Sequence, residues 1–299
     1  MRHLMRSGWS GFGERYAELR ERQKVFLSNY DEQEILDKVK EFRLESKLGM
    51  TRFECMDRMH SIFGDICSFP IRYAAYNHGT IFYRARAIPA DDVQIPLRTL
   101  SKSSDAWEPP PEFVKVQGRL NDIGQSILYC CPYDPALAIQ EARASSNKHV
   151  AVMVYQAKRD IRVSVIGSYE ASDLPKDAMT RLFYSFLEEE FARFAPIGNE
   201  HEYIVTTTVA DSYFNYPDQD AWCYRSVQSE GKFNVAFLPG KSKDAVQLVG
   251  VLLCDNSAHE VGSLKVLYVV DFDPDTDLAR YHRIGSKEQK KIFPDFGLA

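Results

Sequence analysis

Hydrophobic residues recur along this chain first at the spacing of helices and then at the spacing of strands. From about Gly13 to Lys47 charged residues and good helix formers dominate, with Ile35, Val39 and Phe42 on one face. Asp31 is placed to cap, which divides the stretch into two helices, and a third is expected over Thr51 to Phe63. After Ile71 aromatic and β-branched residues take over. Thr80-Ile81-Phe82-Tyr83-Arg84-Ala85-Arg86 alternates as a half-buried strand does. If Phe82 faces the core, Arg84 and Arg86 share its side and need anionic partners. The opposite register leaves both arginines in solvent and needs none, so the residues alone favour it.

The middle of the chain is organised around Gly118-Arg119-Leu120-Asn121-Asp122-Ile123-Gly124, a glycine-bounded polar turn. A short strand through Ile127-Leu128-Tyr129-Cys130-Cys131 follows. Asp134 can then cap a helix that starts with Pro135, where the missing N–H costs nothing. Ala138, Glu141 and Ser145 fall at helical spacing, and small neighbours leave the Glu141 carboxylate reachable. Before this block, Ser101 to Pro111 reads as an extended, mobile loop.

Beyond it, strands are expected over His149 to Gln156 and Ile161 to Ile166. A helix over Lys176 to Phe194 would bury Leu182, Phe186, Phe191 and Phe194 and present Glu188-Glu189-Glu190 to solvent. Glu202 to Phe214 is a weaker helix because of its three threonines. Strands Trp222 to Val227 and Phe233 to Leu238 flank a Glu230-Gly231 turn, and Val246 to Cys254 and Leu264 to Phe272 add two more before a polar end. So many short adjacent strands argue against a regular parallel sheet and for an α+β fold with a mixed sheet.

Composition changes the picture only in what it excludes. The 299 residues suffice for one large domain or two modest ones. A net charge of −5 argues against general nucleic-acid binding. Cys55, Cys67, Cys130, Cys131, Cys223 and Cys254 form no C-x-x-C pair and read as buried thiols. The start lacks a signal peptide's apolar core, and no apolar run spans a bilayer, so a cytoplasmic protein without membrane contact is expected. Gly240-Lys241-Ser242 resembles the end of a phosphate loop, but Val235 stands where its first glycine belongs. No H-E-x-x-H, G-x-S-x-G or three-glycine dinucleotide fingerprint occurs, and the histidines are scattered.

Four ordered pieces resemble the RES-domain family, which is named for an arginine, a glutamate and a serine. They are Phe82-Tyr83-Arg84-Ala85-Arg86; Gly118-Arg119-Leu120-Asn121 with Gly124; Leu128-Tyr129 with Ala136-Leu137-Ala138-Ile139-Gln140-Glu141; and Tyr224-Arg225-Ser226-Val227 with Gly231, Asn234 and Phe237. Leu120 departs from the pattern, which usually has an aromatic residue there. The resemblance covers residues 80–238 and does not explain the segment before Thr80 or the tail after Pro239; with the helical pattern at the start, the chain is expected to have a helical N-terminal extension over 1–75 and a RES-like NAD-binding domain over 76–299. RES proteins are toxins of bacterial toxin–antitoxin pairs, similar in fold to ADP-ribosyltransferases, and they consume NAD.

The resemblance therefore implies NAD as substrate, no metal, and a cognate antitoxin as partner. Glu141 would oppose the positive charge that grows on ribose when the nicotinamide bond breaks. Arg84 and Arg119 would hold the pyrophosphate, Tyr83 or Tyr129 would stack on the cationic ring, and Ser226 would hold an amide or a ribose hydroxyl. ADP-ribosylation of a protein acceptor, and a non-catalytic binding protein, remain open beside NAD degradation. Residues 1–75 would cover the main domain or form a separate binding module.

Overall fold

The computed structural model describes residues 13–65, 71–169, 178–196, 198–256 and 264–294, so Cys67 and the first two residues of the helix expected from Lys176 lie outside it. Among these residues the chain forms ten strands and eight α-helices, an α+β fold of mixed strand pairing. It divides into two compact units: residues 1–75, 111–125 and 162–227 make the first, and 76–110, 126–161 and 228–299 the second. No described helix is long and apolar enough to cross a membrane.

The first unit is built on helices. α1 (Gly13–Leu27), α2 (Glu32–Lys47) and α3 (Arg52–Phe63) start the chain; Asp31 and Thr51 each cap the following helix through a reciprocal box with Glu34 and Glu54. α5 (Ala178–Ala192) packs on them through Phe42–Phe186, Phe63–Phe183 and Phe63–Phe186 ring contacts at 6.1, 5.1 and 5.1 Å. α6 (Ile204–Tyr213) completes the helical layer. β1 (Arg72–Tyr76), β5 (Ile161–Ile166) and β6 (Ala221–Arg225) lie in the order β1-β5-β6, with β5 and β6 parallel. At the end of β5, Gly167 has φ of 62°, and a Cβ there would meet the Leu187 oxygen and Phe191 Cβ at 2.8 Å. Only glycine allows that approach.

One expectation for α5 is overturned. Glu190 is buried, not solvated: its oxygens lie 2.7 Å from Arg43 Nε and 3.2 Å from Arg193 NH2. A carboxylate on the inner side of a helix is tolerable only with such partners. Phe194, expected in the core, is half-exposed because α5 ends at Ala192.

The second unit is an antiparallel sheet in the order β7-β3-β2-β4-β8-β9-β10. Its strands are β2 (Ile81–Ala87), β3 (Leu128–Pro132), β4 (His149–Ala157), β7 (Phe233–Phe237), β8 (Val246–Asp255), β9 (Lys265–Phe272) and β10 (Ala279–Arg283). α4 (Pro135–Glu141) covers one face, where Leu137, Ala138 and Ile139 join Tyr83, Ala85, Val152, Val154 and Leu252 in a core. α7 (Ser242–Ala245) and α8 (Lys287–Ile292) are short. The polar end expected after residue 272 thus holds a strand and a helix, because β10 and α8 are too polar and too brief to stand out by pattern.

The loop before residue 111 also departs from expectation. It turns through a 3-10 helix at Ser103–Ala106, where Asp105 accepts from the N–H of Ser101 and Lys102 at 2.8 and 2.9 Å. Tyr281 donates to the Leu100 carbonyl, Ser126 to that of Pro109, and Tyr155 to that of Ala106. An extended loop is therefore replaced by a segment tied down along its length. Ser145 is not on the face of Glu141, since α4 ends at Glu141 and Arg143 turns the chain at φ of 53°.

Candidate functional site

Each unit carries part of the residue set, and each part is described by itself. In the second unit Asp134 Oδ1 accepts from the Leu137 N–H at 2.8 Å, and Pro135 follows as the first helical residue. The other carboxylate oxygen meets Lys232 Nζ. These contacts start α4 over the sheet, and Glu141 stands half-buried at its last position. A carboxylate at the negative end of a helix is locally unfavourable. A residue that breaks a local rule in this way is where function is to be sought.

Alternation along β2 and its register with β3 and β4 assign the faces. Tyr83 opposes Cys131 and Val154, so Tyr83, Cys131 and, two residues earlier, Tyr129 share the face covered by α4. Cys131 Sγ donates to Asn234 Oδ1 at 3.2 Å. Burial pushes the Cys131 thiol far above its ordinary pKa, and the Glu141 carboxylate adds to the shift. Burial likewise raises the Tyr83 phenol, with the Asp134 charge second. Glu141, Tyr83 and Tyr129 are thus gathered on one face.

Arg84 is on the other. There Phe82 is fully buried against Tyr76 and Phe237, at ring distances of 5.4 and 5.6 Å, and both arginines of the strand accompany it. The register that sequence alone disfavoured is the one adopted, and the partners are carbonyl oxygens. Arg84 NH1 donates to the Trp107 oxygen at 2.9 Å, and Arg86 NH2 to that of Thr99. Burial and the neighbouring Arg84 charge lower the Arg86 pKa. The structure does not bring Arg84 together with Tyr83 and Tyr129. Glu108, which pattern did not single out, accepts from Ser242 Oγ at 2.6 Å and leaves its other oxygen enclosed without a hydrogen-bond partner.

In the first unit Arg119 is 9% exposed. Its NH1 donates to the Phe191 carbonyl at 2.7 Å, and its guanidinium lies 5.0 and 5.9 Å from the ring centres of Tyr203 and Tyr224. The threonines that weaken α6 as a helix hold this turn. Thr206 donates to the Arg119 carbonyl at 2.7 Å and Thr207 to that of Gly118 at 3.3 Å. Ser226, just past β6, is 8% exposed beside Arg225, which pairs with Glu188 and Ser168. These contacts hold the Arg119 side chain, and a fork held this way suits bidentate binding of a carboxylate or phosphate.

Cys55, Cys130, Cys131, Cys223 and Cys254 are buried free thiols, and burial pushes Cys55 up to about 11. Among the described residues no group of three or more His, Cys, Asp or Glu is placed to hold a metal ion. No curated protein matches the chain. The RES domain family matches residues 95–257, a range that includes Arg119, Tyr129, Glu141 and Ser226 and begins beyond Tyr83 and Arg84. With more than half its length matched, and the turn, capped helix and serine of the motif all inside that range, the chain belongs to the RES domain family.

Proposed function

We propose that this protein is an NAD-consuming enzyme that breaks the bond between nicotinamide and ribose, and that it acts as a toxin held in check by a cognate antitoxin. The observation that carries the reading is Glu141, a half-buried carboxylate on an aromatic-walled face in a member of a family generally linked to NAD-related toxins.

The chemistry follows from the charges. As the C1′–N bond lengthens, its electron pair leaves with nicotinamide, which becomes neutral, and positive charge moves onto ribose. Glu141 opposes that charge, an interaction stronger in the transition state than in bound NAD. Water, or phosphate in a phosphorolytic variant, then adds at C1′; water yields ADP-ribose and a proton. Tyr83 and Tyr129 supply flat walls for the nicotinamide end. Arg119 is the cation for the diphosphate, because its fork is held by Phe191 and two tyrosines and does not have to be ordered on binding. Ser226 is assigned a ribose hydroxyl. Arg84 supports the Trp107 segment from the other face of its strand.

Incubating the purified protein with NAD and following released nicotinamide, with and without phosphate, tests the reading. Release of nicotinamide is expected; intact NAD in the presence of folded protein would overturn it.

A further inference from the structure

Cys131 lies between two side chains, each more than nine-tenths buried and each carrying a polar atom that meets no acceptor among the described residues. Asn234 is 3% exposed, and its Oδ1 accepts from the Cys131 thiol at 3.2 Å. Because burial keeps that thiol protonated, it is the donor, and the amide is oriented with Nδ2 turned away from sulfur. Nδ2 donates to no described group. Tyr83 is 8% exposed, and its Oη likewise makes no hydrogen bond among the described residues. The enclosed unpaired atoms of the structure include Arg86 Nε, Glu108 Oε2 and Tyr169 Oη, and neither Asn234 Nδ2 nor Tyr83 Oη is among them. Both therefore open onto accessible space.

The two residues flank Cys131 on adjacent strands, since Tyr83 opposes Cys131 in register and Asn234 bonds it from the other side. Their Cα atoms are then about 10 Å apart, twice the strand spacing, a span comparable to one substituted aromatic ring. The field at this row is set by Glu141 and Asp134, with Lys232 already paired to Asp134. With Lys232 offsetting Asp134, the Glu141 carboxylate is the charge that disfavours a phosphate here and favours a cationic ring. A neutral amide donor beside such a ring matches a neutral acceptor on it.

Resting on the NAD reading and going beyond it, we infer that Asn234 is a substrate-touching specificity residue whose Nδ2 donates to the carboxamide oxygen of the nicotinamide ring. Glu141 then faces the sugar side of the scissile bond while Asn234 holds the leaving group. The Cys131 thiol is the positioning group that keeps the amide turned the right way. A donor that opens from a side chain already held by the fold does not have to be ordered when the ligand binds.

The test compares NAD with its thionicotinamide analogue, in which sulfur, a poor acceptor, replaces the carboxamide oxygen. Asn234→Asp keeps an acceptor for the thiol and removes the donor; Asn234→Ala removes the donor without adding charge, and serves if the first variant does not fold. Wild type should bind NAD about tenfold more tightly than the analogue, the worth of one hydrogen bond. A folded variant should bind NAD about tenfold more weakly and bind the two ligands within about twofold of each other. A folded variant that keeps the preference, or loses affinity for both ligands equally, overturns the assignment while leaving the NAD reading standing. A wild type with no preference also overturns it. A wild type that binds neither ligand overturns the NAD reading and this inference with it.

Discussion

Arg119 donates to the Phe191 carbonyl oxygen at 2.7 Å, tying the glycine-bounded turn to the last turn of α5. Gly167 allows that helix to come close to β5, so a glycine distant in sequence helps place the arginine.

Arg119→Lys keeps the charge and loses the fork and the stacking on Tyr203 and Tyr224. NAD affinity should fall by about 1.5–3 kcal/mol, the scale of a charge-assisted hydrogen bond. The melting temperature should fall as well, since a residue this buried also holds its own turn. Titration and thermal unfolding read the two effects, and unchanged NAD affinity would remove Arg119 from the site.

Glu190 is a structural counterpart. It is 2% exposed and lies between Arg43 of α2 and Arg193. Without Glu190, Arg43 keeps only Glu189 and both arginines stay partly solvated, so Glu190→Ala should destabilise by up to about 3 kcal/mol, the low end for breaking a buried pair. Denaturant unfolding measures it. A loss below 1 kcal/mol would mean that the pair adds no more than a surface contact does.

How far these placements were legible depends on what carried the signal. Asp31 and Asp134 were readable because capping is local chemistry at fixed offsets, and both cap as expected. The strand around Phe82 was also readable, but its register was not. The cost of two inward-facing arginines was weighed against missing anions, whereas the fold gives them carbonyl acceptors, Trp107 in the loop that pattern alone treats as extended and Thr99 just before it, while Arg86 Nε stays unpaired. Glu190 was misplaced for a similar reason, since its partner Arg43 lies 147 residues away in sequence. Of the candidate site, the motif supplied Glu141, Tyr83 and Tyr129 as candidates. Their common face, and the separation of Arg84 from it, came from strand register, which no single segment encodes.

Asp134 gives a pH dependence with a definite sign. Burial alone would raise its carboxyl, but the Lys232 ammonium and the N–H groups of Leu137 and Ala136 outweigh it and hold the pKa below the ordinary aspartate value. A carboxyl depressed on folding stabilises fully above the unfolded value, about 3.9, and the contribution is lost as pH falls through the folded value. Stability should therefore drop below about pH 4 by more in wild type than in Asp134→Asn. At neutral pH Asp134→Ala should cost about 1 kcal/mol for the lost cap and lower turnover, since α4 positions Glu141. Equal acid sensitivity of wild type and Asp134→Asn, measured by thermal unfolding across pH, would exclude Asp134 as the group.

Glu141→Gln separates binding from bond breaking. The amide keeps the size and part of the hydrogen bonding of the carboxylate but removes its charge. Bound NAD already carries a cationic nicotinamide, so some affinity for the substrate is lost. The larger loss falls on the step in which charge moves to ribose, because only interactions that strengthen in the transition state raise turnover. The expectation is a fall in kcat of about 10²–10³, a few kcal/mol of electrostatic stabilisation, with NAD affinity changed much less. A stability measurement adds an independent reading. Glu141 is the last residue of α4, where a negative charge opposes the helix dipole, so removing the charge should by itself add up to about 1 kcal/mol, set against the contact that the carboxylate makes. A residue kept for packing would instead lose stability and keep its rate. Single-turnover cleavage, equilibrium titration and thermal unfolding on the two proteins decide between them, and a variant that cleaves at the wild-type rate ends the assignment of Glu141.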